Sequence, residues 1–157
     1  MSTLLLALNA KYIHSNIAVR YLQKYAAPFL SQPPQILELT INNRMDFILD
    51  EIFRRSPDLL LFSTYIWNVD LVRRLAAEYR KLRPDALIGG GGPEVSYESE
   101  AFLRQNPAFD LIVRGEGEET VRHLLAARES GLDWTILPGL TVRSGQAVRT
   151  NPPRPAL

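Results

Sequence analysis

PDLLLFSTYIWNVDLVRRLAAEYRKLRPDALIGGGGP, residues 57–93, carries a strand, a helix and a second strand in succession. Residues 58–63 are a short, near-continuous run of Leu and Phe, the pattern of a strand covered on both faces. Leu71, Val72, Leu75, Ala76, Tyr79 and Leu82 then recur at i, i+3 and i+4 spacing, which places them on one helical face. Asn68 and Asp70 sit where an N-cap belongs, and Pro84 falls where a helix must already have stopped. Residues 86–90 repeat the apolar run and empty into glycine. Two doubly covered strands joined by a helix form a βαβ unit, with parallel pairing and a right-handed crossover.

The same beat continues in both directions. Further apolar runs occupy residues 3–8, 35–40 and 110–113. Ala18, Tyr21, Leu22, Tyr25 and Ala26 predict one amphipathic face, and Met45, Ile48, Leu49, Ile52 and Phe53 another. Shorter helices are predicted over 99–104 and 118–128, and Ser15 with Asn16 stand at an N-cap position. Pro28, Pro33, Pro34, Pro57 and Pro107 all fall between helix and strand. Five such units predict a doubly wound α/β fold with a parallel five-stranded sheet. Beyond Arg128 the pattern changes. Residues 137–142 and 147–150, around Ser144-Gly145, predict a small C-terminal β-hairpin, and the Pro-rich tail from Asn151 reads as a linker. The expected organisation is a main domain over 1–130, a hairpin extension over 131–150 and a linker over 151–157.

A chain of 157 residues suffices for one domain with its own core. Its 18 basic and 17 acidic side chains leave a net charge of +1 and no basic stripe, so no nucleic-acid partner is expected. With no cysteine, the chain itself has no disulfide, thiolate metal site or cysteine nucleophile. Residues 1–8 are apolar but lack the basic flank of a signal peptide and are too short to span a bilayer. They read as a buried strand, no membrane association is expected, and a cytoplasmic location follows.

Ligands of doubly wound sheets bind beyond the carboxyl ends of the strands, at the point where strand order reverses. The loops on that edge are residues 9–16, 40–43, 63–68, 89–96 and 114–119, and they hold the chain's unusual residues. Four glycines before Pro93 permit close backbone approach to a ligand, more than a connecting turn needs. They match neither G-x-G-x-x-G nor a P-loop. In Arg114-Gly-Glu-Gly-Glu-Glu119 the acids suit a helix's first turn, and Glu116, between glycines, equally suits a ligand contact. Tyr65 and Trp67 either cover something flat and apolar or pack beneath neighbouring loops. His14 alone reads as a solvated or capping residue rather than a metal ligand, and His123 is expected to face away from this edge. No nucleophile–base set, carboxylate pair or metal quartet emerges. The loops are suited to holding a ligand, not to transforming it.

NAKYIHSNIAVRYL (residues 9–22), STYIWN (63–68), GGGPEVSY (90–97) and GEGE (115–118) stand in order at successive strand ends. Together they resemble the N-terminal cobalamin-binding domain of cobalamin-dependent radical SAM proteins, over essentially residues 1–150. The resemblance implies a flavodoxin-like Rossmann variant with a corrinoid over the carboxyl edge and its nucleotide tail reaching down between strands. Carried over by position, it nominates Asn9, Lys11, Tyr12 and His14, then Ser63, Thr64, Tyr65 and Trp67, then Gly90, Gly91, Gly92 and Pro93, and finally Glu116, as cofactor-binding residues.

Two departures bear on that expectation. Placing Asn9 at the aspartate of the D-x-H-x-x-G motif puts Lys11 at the histidine and His14 at the glycine, so a histidine ligand to cobalt is not supported. The C-x-x-x-C-x-x-C run that holds a radical SAM 4Fe-4S cluster is also missing. The resemblance therefore implies a cofactor module for a downstream radical SAM methylase or cyclase, whose own domain would bring the cluster and S-adenosylmethionine, with methylcobalamin as the methyl carrier. Two other functions compete. One is a flavodoxin-like nucleotide binder with phosphate contacts at 89–93 or 114–117. The other is an interaction domain, no longer binding a cofactor, that docks a partner through Tyr12, Tyr65 and Trp67.

Overall fold

Leu4 to Leu8 of the first strand are all essentially inaccessible to solvent, so both faces of that strand are covered. The computed structural model, which describes residues 1–11 and 16–155, shows why. Strand β1 (Thr3–Asn9) lies between β2 (Gln35–Thr40) and β3 (Leu59–Ser63), followed outward by β4 (Leu87–Gly91) and β5 (Leu111–Val113). All these pairings are parallel, and the order β2-β1-β3-β4-β5 is that of the flavodoxin-like variant the resemblance implies. Alternate residues of each strand supply two cores. Leu4, Leu6, Leu8, Leu60 and Phe62 pack against α2 (Met45–Arg55), α3 (Val69–Leu82) and α5 (Ser99–Gln105). Leu5, Leu59, Leu61, Leu111 and Val113 pack against α1 (Ile17–Ala26) and α6 (Glu118–Ser130). A single turn, α4 (Pro93–Ser96), follows β4 and has no counterpart among the sequence expectations.

The hairpin, β6 (Leu140–Ser144) and β7 (Ala147–Thr150), continues the sheet. β6 pairs antiparallel with β5, Ile112 opposite Thr141, so the sheet has seven strands rather than five with an appendage. Leu140 and Val142 are fully buried in the second core, and the β5–β6 ladder covers the edge of β5. The tail read as a linker is bound to the body as far as Arg154. Asn151 Nδ2 donates to the Thr135 and Leu137 carbonyls, both at 2.8 Å, Gly139 N donates to Pro152 O at 2.8 Å, and Arg154 Nε donates to Thr120 Oγ1 at 3.0 Å.

Helix faces depart from expectation where aromatic residues were counted as core. Val19 and Ala26 of α1 point inward with Leu22 half-buried, while Ala18, Tyr21 and Tyr25 are exposed. The phenol explains Tyr25: its hydroxyl donates to Glu119 Oε2 at 3.0 Å, and the ring lies near Arg122. Phe53 and Leu82 likewise finish on the surface. Asn16 caps α1, accepting from Val19 N at 3.2 Å. Asn68 does not cap α3; its amide is used to tie down the preceding loop, as described next. Among the described residues no helix is long and apolar enough to cross a membrane.

Candidate functional site: a glycine-walled cleft at the switch point

β1 connects outward to β2 on one side while β3 lies on its other side, and the crevice beyond this reversal is where such sheets take ligands. The loop after β3 is rigidly held there. Asn68 Oδ1 accepts from Tyr65 N at 2.8 Å, and its Nδ2 donates to Leu8 O at 3.1 Å and Ser63 O at 3.0 Å. Thr64 is fully buried, and both its N–H (2.8 Å) and its hydroxyl (2.5 Å) donate to Gly91 O. That hydroxyl, nominated for a ligand, is therefore committed to holding the β3 and β4 loops together. Asn16 Nδ2 donates to Ser63 Oγ at 3.1 Å, fastening the start of α1 to the end of β3.

The four glycines have different duties. A Cβ on Gly89 would come within 2.8 Å of the Leu111 and Leu61 side chains, so it is a packing glycine. Gly92 has φ +105°, and a Cβ there would stand 2.5 Å from Thr64 O. Only glycine fits. At Gly91 a Cβ would meet nothing closer than 3.4 Å, and at Gly90 nothing closer than 3.6 Å. The missing side chain of Gly91 leaves space open rather than avoiding a clash.

That space is a cleft of about 120 Å³ between the sheet edge and helices α1 and α6. Leu5, Leu61 and Val113 line it from the strands, Val19, Leu22 and Val121 from the helices, and Gly91, Gly115 and Gly117 from the strand ends and loop. Among the described residues one charged group belongs to this lining. Glu118 borders the cleft, and its Oε2 is buried without a hydrogen-bond partner. The cleft opens beside a wider hollow of about 460 Å³ bounded by Asn9, Asn16, Ile17, Tyr65 and Trp67, sharing Ala18 and Tyr65 with it. The Tyr65 and Trp67 rings stack on each other, centroids 4.4 Å apart and 3° from parallel. Trp67 Nε1 donates to Leu8 O at 3.3 Å, and the residue remains 47% exposed.

Of the residues nominated from sequence, Ser63, Tyr65, Gly90, Gly91 and Gly92 line the cleft, and Asn9, Tyr65 and Trp67 bound the hollow. Lys11 is exposed, and Pro93 opens α4 outside both spaces. Glu116 faces a third depression, beside Arg114, Arg154 and the tail. Tyr12 and His14 lie outside the described residues. Sequence reasoning missed Glu118 and the apolar lining. Its GEGE motif contained the right segment, but a carboxylate in a first turn reads as dipole stabilisation until a cavity is seen beside it.

Charges near the site are mostly spent on structure. Burial raises the Glu119 carboxyl, but hydrogen bonds from Tyr25 and Arg122 outweigh it and hold the group below its ordinary range. His123 is lowered by burial and then by the cations Arg122 and Arg154. Among the described residues no cluster of His, Cys, Asp and Glu could hold a metal ion. Among the described residues the edge offers enclosure, apolar lining and one unsatisfied acceptor.

A doubly wound sheet with such an opening at its switch point is a Rossmann-like ligand-holding domain. The profile of the B12 binding domain matches residues 3–125, and the chain belongs to that family. It is 32% identical over 131 residues to the cobalamin-dependent radical SAM methyltransferase TokK of Streptomyces tokunonensis, covering 83% of this chain and 18% of that protein. The 2-(S-pantetheinyl)-carbapenam-3-carboxylate methyltransferase of Streptantibioticus cattleyicolor is 38% identical over 103 residues, 64% of this chain and 15% of its own. Among solved structures, the radical S-adenosylmethionine methyltransferase TsrM from Kitasatospora setae, with cobalamin and a 4Fe-4S cluster bound, superposes with TM-score 0.72 at 27% identity, over 98% of this chain and 29% of that one. The cobalamin-dependent S-adenosylmethionine radical enzyme OxsB, with aqua-cobalamin bound, gives TM-score 0.75 at 18% identity over 99% of this chain and 23% of its own, a likeness of fold. The chain thus spans less than a third of each of these relatives.

Proposed function

We propose that this chain holds a cobalamin across the carboxyl edge of its sheet. In this reading the nucleotide tail enters the cleft between α1 and α6, and the corrin ring lies over the hollow beside Tyr65 and Trp67. One observation carries it: the cleft is kept open at Gly91, where a side chain would enter the space without clashing with the protein. A bound cobalamin would supply a cobalt-borne methyl carrier. The protein's own part is positional. The Asn68 and Asn16 hydrogen bonds fix the loops, the Leu5, Leu61, Val113 and Val121 side chains exclude water from the tail, and the Tyr65–Trp67 stack offers a flat apolar face.

The chemistry is assigned to a radical SAM domain of a longer protein, acting as a methylase or cyclase in the cytoplasm. The cluster and S-adenosylmethionine would belong to that domain, since this chain has no cysteine to hold iron. Family membership and the small share of each relative that the chain covers support this division. Residues 1–130 would be the cobalamin domain, 131–150 the hairpin that closes its sheet, and 151–157 the passage onward. Hydroxocobalamin added to the purified chain should leave corrin absorbance on the protein after desalting, and calorimetry with FMN, NAD and ATP should show no heat of binding. Colourless protein, or one that takes up a nucleotide instead, contradicts the proposal.

A further inference from the structure

The acids of residues 116–119 are not equivalent. Glu116 is exposed on the far side of the loop, facing Arg114 and Arg154. Glu119 is engaged by Arg122 at 2.8 Å and by Tyr25 at 3.0 Å. Of these acids Glu118 alone borders the cleft, and it holds a buried carboxylate oxygen to which no group among the described residues donates. A first-turn acid is favoured by the helix dipole, but the dipole does not require burial of an unpaired oxygen. Burial of an acceptor without a donor disfavours the ligand-free state and is reversed when a ligand brings one.

We infer that Glu118 is the polar anchor of the cleft, accepting a hydrogen bond from a ribose hydroxyl of the nucleotide tail. This rests on the cobalamin reading above. Within that tail the base has no N–H left and the phosphate is ionised, so the ribose hydroxyls are the donors the segment possesses. The rest of the lining is aliphatic, glycine or Phe62, apart from Ser63 and Tyr65, and Ser63 Oγ already accepts from Asn16. The polar part of the preference for the complete cofactor over a corrinoid without its nucleotide would therefore pass through this one carboxylate.

Equilibrium titrations of the full chain with hydroxocobalamin and with aquocobinamide, which lacks the nucleotide, separate the possibilities. Glu118→Ala should weaken cobalamin binding by about tenfold to a hundredfold and leave cobinamide binding unchanged. Glu118→Gln, which keeps an acceptor but loses the charge, should fall between. The ligand-free melting temperature should hold or rise in both variants, whereas a structural role would lower it. Equal losses for the two corrinoids, or none for cobalamin, overturn the assignment of Glu118 while leaving cobalamin binding intact. A wild-type chain that binds neither corrinoid overturns both.

Discussion

At the scale of single residues, neighbouring glycines divide the work between folding and binding. Gly92 serves the fold: its φ of +105° and the 2.5 Å approach to Thr64 O exclude any side chain. Gly92→Ala should cost about 1–3 kcal/mol or more, read as a lower denaturant midpoint. Gly91 serves the cleft. Gly91→Leu should fold with near wild-type stability and emerge from desalting without corrin colour; a destabilised Gly91 variant that still binds would invert these roles. The glycine run was legible in the sequence as close-approach backbone. The division was not, because neither a positive φ nor the crossing of Thr64 leaves a mark in composition. Asn68 teaches the same lesson: Asn before a helix reads as a cap, yet here three backbone groups, of Leu8 in β1, Ser63 in β3 and Tyr65 in the loop, take its amide.

At the scale of elements, the five parallel strands were legible almost to the residue, because strands covered on both faces are written as unbroken apolar runs. The rotation of α1 was not, since periodicity scores a tyrosine as apolar while its hydroxyl seeks Glu119. Helix α6 carries a pH dependence of its own. Arg122 Nη2 lies 2.7 Å from His123 Nε2, and a guanidinium only donates, so Nε2 must be unprotonated. Burial lowers the His123 pKa below its ordinary 6.5, with Arg122 and Arg154 adding to the effect and Glu119 opposing it. The unfolded chain then binds more protons than the native one below about pH 6.5. Stability from this group is complete above that value and is lost as pH falls toward the lowered native pKa. Chemical denaturation between about pH 5.5 and 7.5 should show stability rising with pH, and His123→Gln should flatten the rise. An unchanged slope in the variant would place the dependence elsewhere.

At the scale of the whole molecule, the hairpin extends the sheet, and the tail as far as Arg154 is bonded to the body rather than trailing from it. β6 covers the edge of β5, and Arg154 fixes the tail to Thr120 at the start of α6, next to the cleft. Composition could not reveal this: a Pro-rich tail reads as a linker until its carbonyls and its arginine find partners. The result is one seven-stranded sheet with a narrow cleft and a wider hollow meeting at its switch point. A crystal structure of the chain with hydroxocobalamin tests the account most directly. The nucleotide should lie between α1 and α6 against Gly91, with the corrin ring beside Tyr65 and Trp67. A corrinoid bound on any other surface, or a cleft closed by its own side chains in the complex, would contradict it.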